Sequence, residues 1–213
     1  MAAGDGKRTK SSRPKALSKI LFTPILQWII AAVKAAGVED ICVVAGSKYE
    51  AVEEFLARYD DSVEIVRQEQ RLGTSHAVKQ AWEMIEKHAG GNVLILRGDC
   101  PLIDAESIHD AYEAHLEENN AVTVISSYLD DPEEYDRILR SDNGRLLDIL
   151  DEDAIEETEE EIQEIDTGAC WFQCDELLPQ LENVGSNEQQ EYRLRDLIKD
   201  MIPEYFVNAY PCD

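Results

Sequence analysis

Asp99 follows the apolar run Val93, Leu94, Ile95 and Leu96, in the order Arg97-Gly98-Asp99-Cys100-Pro101. A carboxylate just past a buried strand is well placed to hold a hard cation. Mg²⁺ typically takes one or two carboxylates and completes its shell with substrate phosphates, so a single Asp is chemically sufficient. The same Asp also serves as an ordinary turn cap before a proline. A second candidate is the start of the chain. Within residues 1–19, Gly4 and Gly6 stand beside Lys7, Arg8, Lys10, Arg13, Lys15 and Lys19, with Asp5 the only acid. Six of the chain's 20 Lys+Arg residues fall there, against 45 Asp+Glu and a formal charge of −25 overall. Such a field repels anions, so a phosphate site needs a local positive island, and this is the one dense enough. Glycines let backbone N–H groups approach a phosphate closely while the cations neutralise it. Alone, this stretch reads equally as a basic tail or a transit segment. Gly73-Thr74 is a third candidate, a helix start whose N–H groups suit an anion or a polar base edge, or simply an N-cap.

The balance of charge argues against nucleic acid, which wants a basic face. No apolar run approaches the roughly 18–20 residues that a membrane span needs, so no membrane partner and a cytoplasmic location are expected. Five scattered cysteines in a chain without secretory features read as free thiols. Cys42 and Cys170 look like small core residues. Cys170 and Cys174, read within one strand, lie about 13 Å apart and do not clasp a metal. The histidines at 76, 88, 109 and 115 have no metal-ligand clustering and are expected to be structural or solvent-facing.

The elements that must position these groups alternate. Thr23 is a candidate N-cap with Pro24 at the first helical position. Ile25, Leu26, Ile29, Ile30 and Val33 recur at helical spacing, and Gly37 stops that helix. Strand 41–45, helix 49–59, strand 63–67, a loop at 68–73 and a helix from Thr74 to about His88 follow. Strand 93–96, a helix capped by Asp104 and strand 121–128 continue the pattern. This order predicts an α/β fold, doubly wound and three-layered around a mostly parallel, mixed sheet. Strands 137–140 and 145–150 flank Asn143-Gly144 as a β-hairpin insertion. The acidic block 151–164 reads as an exposed helix or flap, and strand 164–173, helices near 175–181 and 191–202, and strand 205–210 complete a single domain. In open α/β sheets ligands bind beyond the carboxyl ends of the strands, which selects loops 4–15, 68–74 and 97–101.

The ordered series AAGDGKR…RPK, VRQEQRLGTSHAV, LILRGDCPLI, EIDTGACWF and NEQQEYRLRDLI resembles the N-acetylglucosamine-1-phosphate uridyltransferase domain of bacterial bifunctional GlmU enzymes, within the sugar nucleotidyltransferases. The likeness runs essentially end to end. It implies a nucleotide-diphospho-sugar transferase fold and formation of UDP-N-acetylglucosamine, a cell-wall precursor, with pyrophosphate. The substrates implied are UTP and N-acetylglucosamine 1-phosphate, whose phosphate oxygen attacks the α-phosphorus directly. By the family pattern, Ala2, Ala3 and Gly4 contact the nucleotide and Arg8 and Lys15 act on the phosphates. Gln68, Gly73 and Thr74 read the uracil, Asp99 binds Mg²⁺, and Arg97 and Gly98 line the same loop.

The resemblance has departures. The family's Gly-Tyr-Gly-Arg stands here as Glu134-Tyr135-Asp136-Arg137, so the sugar-contacting Gly becomes Asp136. Its sugar-binding Glu falls at Asp151, its Asn-Thr-Gly at Asp166-Thr167-Gly168, and Ser75 replaces a Gly. Two of these changes add negative charge where a sugar phosphate belongs. The alternatives are therefore a different sugar or nucleotide, or a catalytically impaired binding module. The family also implies an apolar strand before the glycine loop, a second Mg²⁺ ligand beyond Asp213, and a β-helix acetyltransferase domain. The expectation is a truncated single domain lacking the first strand, oligomeric only if a longer protein supplies that acetyltransferase domain.

Overall fold

The computed structural model describes residues 1–3, 14–187 and 189–212. After a 3-10 turn at Lys15–Leu17, two short strands, β1 (Lys19–Ile20) and β2 (Thr23–Pro24), pair antiparallel. Helix α1 (Ile25–Ala35), strand β3 (Cys42–Ala45), helix α2 (Tyr49–Tyr59), strand β4 (Glu64–Arg67), helices α3 (Thr74–Lys79) and α4 (Trp82–Lys87) and strand β5 (Asn92–Leu96) come next. Helix α5 (Ala105–Glu117) and strand β6 (Val122–Tyr128) precede a hairpin of β7 (Arg137–Arg140) and β8 (Leu146–Leu150). The chain ends through β9 (Glu164–Gln173), α6 (Cys174–Leu181), α7 (Leu194–Met201) and β10 (Val207–Pro211).

β9 lies between β5 and β6 and runs antiparallel to both, while β10 runs parallel to β6 and β3 runs parallel to β4. Residues 1–3 join the two halves. Ala2 makes a parallel bridge with Ala45, and Met1 accepts from Gly98 N and donates to Leu96 O in the parallel pattern. Strands β3, β4, β5, β6, β7 and β10 therefore share one direction, and β8 and β9 oppose them. The mostly parallel, mixed α/β sheet read from the sequence is what forms.

Strand alternation sends successive side chains to opposite faces and so builds two cores. Ile95, Val122, Val124, Cys170 and Phe172 pack on one face with Leu177, Leu181, Leu197 and Ile198 of α6 and α7. Leu96, Ile125, Ala169 and Trp171 pack on the other with Ile25, Ile29 and Val33 of α1 and Ile108 and Ala111 of α5. Each large apolar side chain so buried contributes about 1.5–3 kcal/mol, which is why these stripes dictate the layers.

Several local expectations are corrected. Thr23 and Pro24 form a strand, and α1 begins at Ile25 with Pro24 in the N-cap position and no side-chain cap. Leu21 and Phe22 turn that hairpin with positive φ, a conformation that their side chains do not advertise. The helix drawn from Thr74 to His88 breaks at Gln80 and Ala81 into two. The acidic block forms no α-helix: a 3-10 turn at Glu152–Ala154 leads into turns, and Glu164 is buried in β9 against Arg140. Cys174 opens α6 rather than continuing a strand; it and Cys170 are buried free thiols. No helix among the described residues is long and apolar enough to cross a membrane.

Candidate active site

The carboxyl ends of β3, β4 and β5 open onto one rim. Gly46 follows β3, Gln68 follows β4, and Arg97, Gly98 and Asp99 follow β5. Ala2 and Ala3 cross this rim between two glycines that permit close approach. A Cβ on Gly98 would stand 2.6 Å from Met1 O, and one on Gly46 would stand 2.6 Å from Ala3 O. The backbone of residues 1–3 is thus clamped at the strand ends.

Lys15 rises from the 3-10 turn after Pro14, and its Nζ lies 2.6 Å from Asp99 Oδ2. Arg97 Nε donates to Asp99 Oδ1 at 3.2 Å. Burial alone would raise the Asp99 pKa, yet Lys15 and Arg97 hold the carboxyl below its ordinary value. Asp99 is therefore ionised and flanked by two cations. Gly4 and Arg8 lie outside the described residues.

Gln68, almost fully buried, donates from Nε2 to Gly73 O at 3.0 Å and meets His76 Nδ1 at 3.0 Å. Gly73 has φ +106, and a Cβ there would collide with the Tyr192 backbone. Thr74 Oγ1 accepts from Leu194 N at 2.7 Å, and Ser75 N donates to Tyr192 O at 2.9 Å. Gln68, Gly73 and Thr74 do come together, and the loop they form is tied to the segment that opens α7. The histidines are structural where the structure shows their partners: His115 is buried between Thr123 and Asn92, and His88 pairs with Asp40.

The three residues assigned to a sugar also converge. β9 bulges against β6 between Ile125 and Ser126, which lifts Thr167 and Gly168 out of register and lays the Arg97 side chain over Gly168. Asp166 N donates to Asp136 O at 2.9 Å, and Glu152 N donates to Asp136 Oδ1 at 3.1 Å. Arg195 then spans Asp136 and Asp151 with its two terminal nitrogens, and Arg193 Nη1 reaches Asp151 Oδ2 at 3.2 Å. The charge that Asp136 adds is thus countered from α7. Neither arginine was assigned a role from the sequence. Their partners at Asp136 and Asp151 lie 42 to 59 positions away, and only the run Arg193-Leu194-Arg195 in an acidic chain hints at them. Asp166 is different: burial raises its pKa to about 6 even though Gly168 N donates to its Oδ1.

Among the described residues no group of three or more His, Cys, Asp or Glu is placed to hold a metal. A Mg²⁺ here would take Asp99 alone from the described protein and fill its shell with phosphate oxygens and water, a donor set this ion accepts. Asp99 fits that role: it is an ionised carboxylate at the strand ends whose present partner, Lys15, is itself a phosphate-binding type of residue.

A sequence model of the MobA-like NTP transferase domain matches residues 1–203. The chain is 38% identical over 205 residues to the bifunctional protein GlmU of Thermoanaerobacter pseudethanolicus, covering 94% of this chain and 44% of that protein. It is 37% identical to the GlmU of Acetivibrio thermocellus, covering 95% of this chain and 43% of the relative. To that of Acholeplasma laidlawii it is 34% identical, covering 99% and 45%. The chain spans less than half the length of these relatives. A solved structure described as a glucose-1-phosphate thymidylyltransferase of Bacillus anthracis superposes with a TM-score of 0.82 at 17% identity, covering 100% of this chain and 85% of that one. That likeness shows the nucleotidyltransferase fold. With the family match spanning almost the whole chain, this protein belongs to the MobA-like NTP transferase domain family.

Proposed function

We propose that the chain is a sugar-1-phosphate nucleotidyltransferase that joins UTP to N-acetylglucosamine 1-phosphate, giving UDP-N-acetylglucosamine and pyrophosphate. The observation that carries this reading is the Lys15–Asp99 pair at the carboxyl ends of the central strands, beside the clamped backbone of Ala2 and Ala3. Identity to GlmU proteins, together with the sequence resemblance to their uridyltransferase domain, supports the uridine nucleotide and the acetylated sugar in this reading.

A phosphate oxygen of the sugar phosphate displaces pyrophosphate at the α-phosphorus, so no protein nucleophile is required. Catalysis then rests on placing the two substrates and countering the charge that builds between them. Lys15, released from Asp99, counters the charge of the triphosphate together with Arg8, and the Asp99 carboxylate would hold Mg²⁺. The metal when bound would neutralise phosphate charge. Arg97, fixed over Gly168, presents its guanidinium between the nucleotide and sugar halves. Gln68, Gly73 and Thr74 face the base, and Asp136, Asp151 and Asp166 take the sugar hydroxyls and acylamino group. The test is pyrophosphate release from UTP, Mg²⁺ and N-acetylglucosamine 1-phosphate; absence of turnover in a folded protein extended at both ends overturns the reading.

A second reading keeps the chemistry and changes the sugar. Asp136, held by Arg195, fills space at the sugar side of the site. Profiling a panel of hexose 1-phosphates decides it: turnover of the acetylated sugar alone excludes this alternative.

A further inference from the structure

Gln68 sits just past β4 with its side-chain amide held in one sense. Its backbone N–H donates to Ala45 O at 2.8 Å, which seats the residue beside the end of β3. The residue is almost fully buried, and its Nε2 stands 3.0 Å from Gly73 O and 3.0 Å from His76 Nδ1. The contact with Gly73 fixes the sense of the amide, since the reversed amide would set one carbonyl oxygen against another. Nε2 carries two hydrogens and no lone pair to share. Gly73 O takes one hydrogen, and His76 Nδ1 must accept the other. The imidazole is therefore neutral, with its proton on Nε2.

His76 is held in its turn. Gly185, at φ +85, abuts the edge of the ring: a Cβ there would stand 2.9 Å from His76 Cδ2. Gln80, one helical turn on, donates to His76 O at 3.0 Å and lies 3.4 Å from His76 Nε2. Burial and the Lys79 ammonium lower the pKa of the ring, with the Gln70 backbone opposing them. Lys79 belongs to the same helix and is itself bonded to the Glu182 and Val184 carbonyls, so its charge stays in place. The neutral ring is thus the form present at pH 7.

With Nε2 engaged twice, Oε1 is the group that Gln68 has left for a ligand. Among the described residues nothing donates to it. The buried side-chain atoms without a partner are Ser75 Oγ and Arg137 Nε, so Oε1 is open at the rim.

We propose that His76 is a positioning residue for base selection. By accepting from Gln68 Nε2, it leaves Gln68 to present only its carbonyl oxygen. That oxygen favours a pyrimidine whose N3 carries a hydrogen, as in uracil and thymine, over cytosine, whose N3 carries a lone pair. The inference rests on the reading of Gln68 as a base contact. Without an acceptor at position 76 the amide loses one of the two bonds that hold its sense, and a freed Nε2 hydrogen can meet the cytosine lone pair.

The experiment uses the full chain with Mg²⁺ and either UTP or CTP at pH 7, with affinities read by calorimetry. Long-range proton–nitrogen NMR on the free protein locates the His76 proton. The parent is expected to carry that proton on Nε2 and to bind UTP at least about tenfold more tightly than CTP, the cost of setting two acceptors face to face. His76→Asn, whose Oδ1 stands near the place of Nδ1, is expected to keep that ratio. His76→Phe keeps a ring without an acceptor and is expected to bring the two nucleotides within about threefold of each other. An unchanged ratio in folded His76→Phe overturns the proposal. Equal loss of discrimination in both variants also overturns it, since that marks a packing role alone. A proton found on Nδ1 of the parent overturns it whether or not the variants fold. Binding of both nucleotides by the parent without discrimination overturns it and leaves the transferase reading standing, whereas binding of neither overturns both.

Discussion

Lys15 Nζ lies 2.6 Å from Asp99 Oδ2, so a cation of the rim and the carboxylate beside it neutralise each other across 84 positions of chain. The pair is partly exposed, at 44% and 21% of the side chains, and a pair of that kind is worth no more than about 1 kcal/mol to the fold. Its value lies in what each partner does when they separate. Lys15→Ala is therefore expected to leave thermal stability within about 1 kcal/mol of the parent while lowering kcat/KM by about 2–4 kcal/mol of transition-state stabilisation. Asp99→Asn is expected to lower kcat similarly and to shift the Mg²⁺ requirement upward. Steady-state pyrophosphate release across a Mg²⁺ titration, beside a urea melt, checks both. Unchanged rates in either variant contradict the roles.

Gly73 is fixed by two independent constraints, φ +106 and the Tyr192 backbone against its open side. Gly73→Ala meets both at once, and such strain with overpacking is expected to cost about 2–4 kcal/mol. The loss should be local as well as global, because Tyr192 N bonds Leu72 O and Thr74 bonds Leu194 N across the same contact. Hydrogen exchange should show the start of α7 opening before the sheet. Destabilisation without that local signature would indicate strain confined to the turn.

The parts of this architecture legible in the sequence are those set by local period and short-range punctuation. α2 was read at both bounds, β9 likewise, and Asp104 as a cap that accepts from Ser107 N. Apolar spacing and turn residues specify such elements within a dozen positions. What escaped was set at long range. The hairpin tip at Leu21 and Phe22 carries no glycine to mark it. The break at Gln80 and Ala81 follows from packing α3 and α4 separately against α6. Of the site, the resemblance placed Gln68, Gly73, Lys15 and Asp99 near one another. It gave no sign that Arg195 would answer Asp136, because that pairing exists only after α7 docks beside the hairpin.

Arg195 is the pivot of the acidic cluster. Its side chain is only 9% exposed, and its guanidinium spans Asp136 and Asp151. Arg195→Ala leaves two carboxylates facing each other with only Arg193 nearby, and a loss of about 2 kcal/mol of stability is expected, below the 3–5 kcal/mol of a fully buried pair. It should also raise the KM for the sugar phosphate, since the unbalanced acids repel an anionic substrate. The double variant Arg195→Ala with Asp136→Asn should recover part of both losses. A double-mutant cycle giving a coupling energy above about 0.5 kcal/mol establishes the pair as one unit; additive losses would show that the two residues act separately.

Asp166 makes the site sensitive to pH. Burial lifts its pKa from the ordinary 3.8 to about 6 in the folded protein, so the folded state holds this proton more tightly than the unfolded chain. Its contribution to stability is thus fully present below about pH 3.8 and is lost as pH rises through about 6. Asp166→Asn removes that dependence. The variant is expected to be more stable than the parent at pH 8 by about 1–2 kcal/mol, allowing for the residue's partial exposure, and to match it near pH 3.5. The same proton has a functional reading. Below pH 6 the protonated carboxyl can donate a hydrogen bond as an amide would, and above it the carboxylate can only accept. The KM of the parent for the sugar phosphate, divided by that of Asp166→Asn, is expected to rise between pH 5.5 and 8. The substrate's own titration cancels in that ratio. A flat ratio would mean that Asp166 does not face the sugar, whatever its effect on stability.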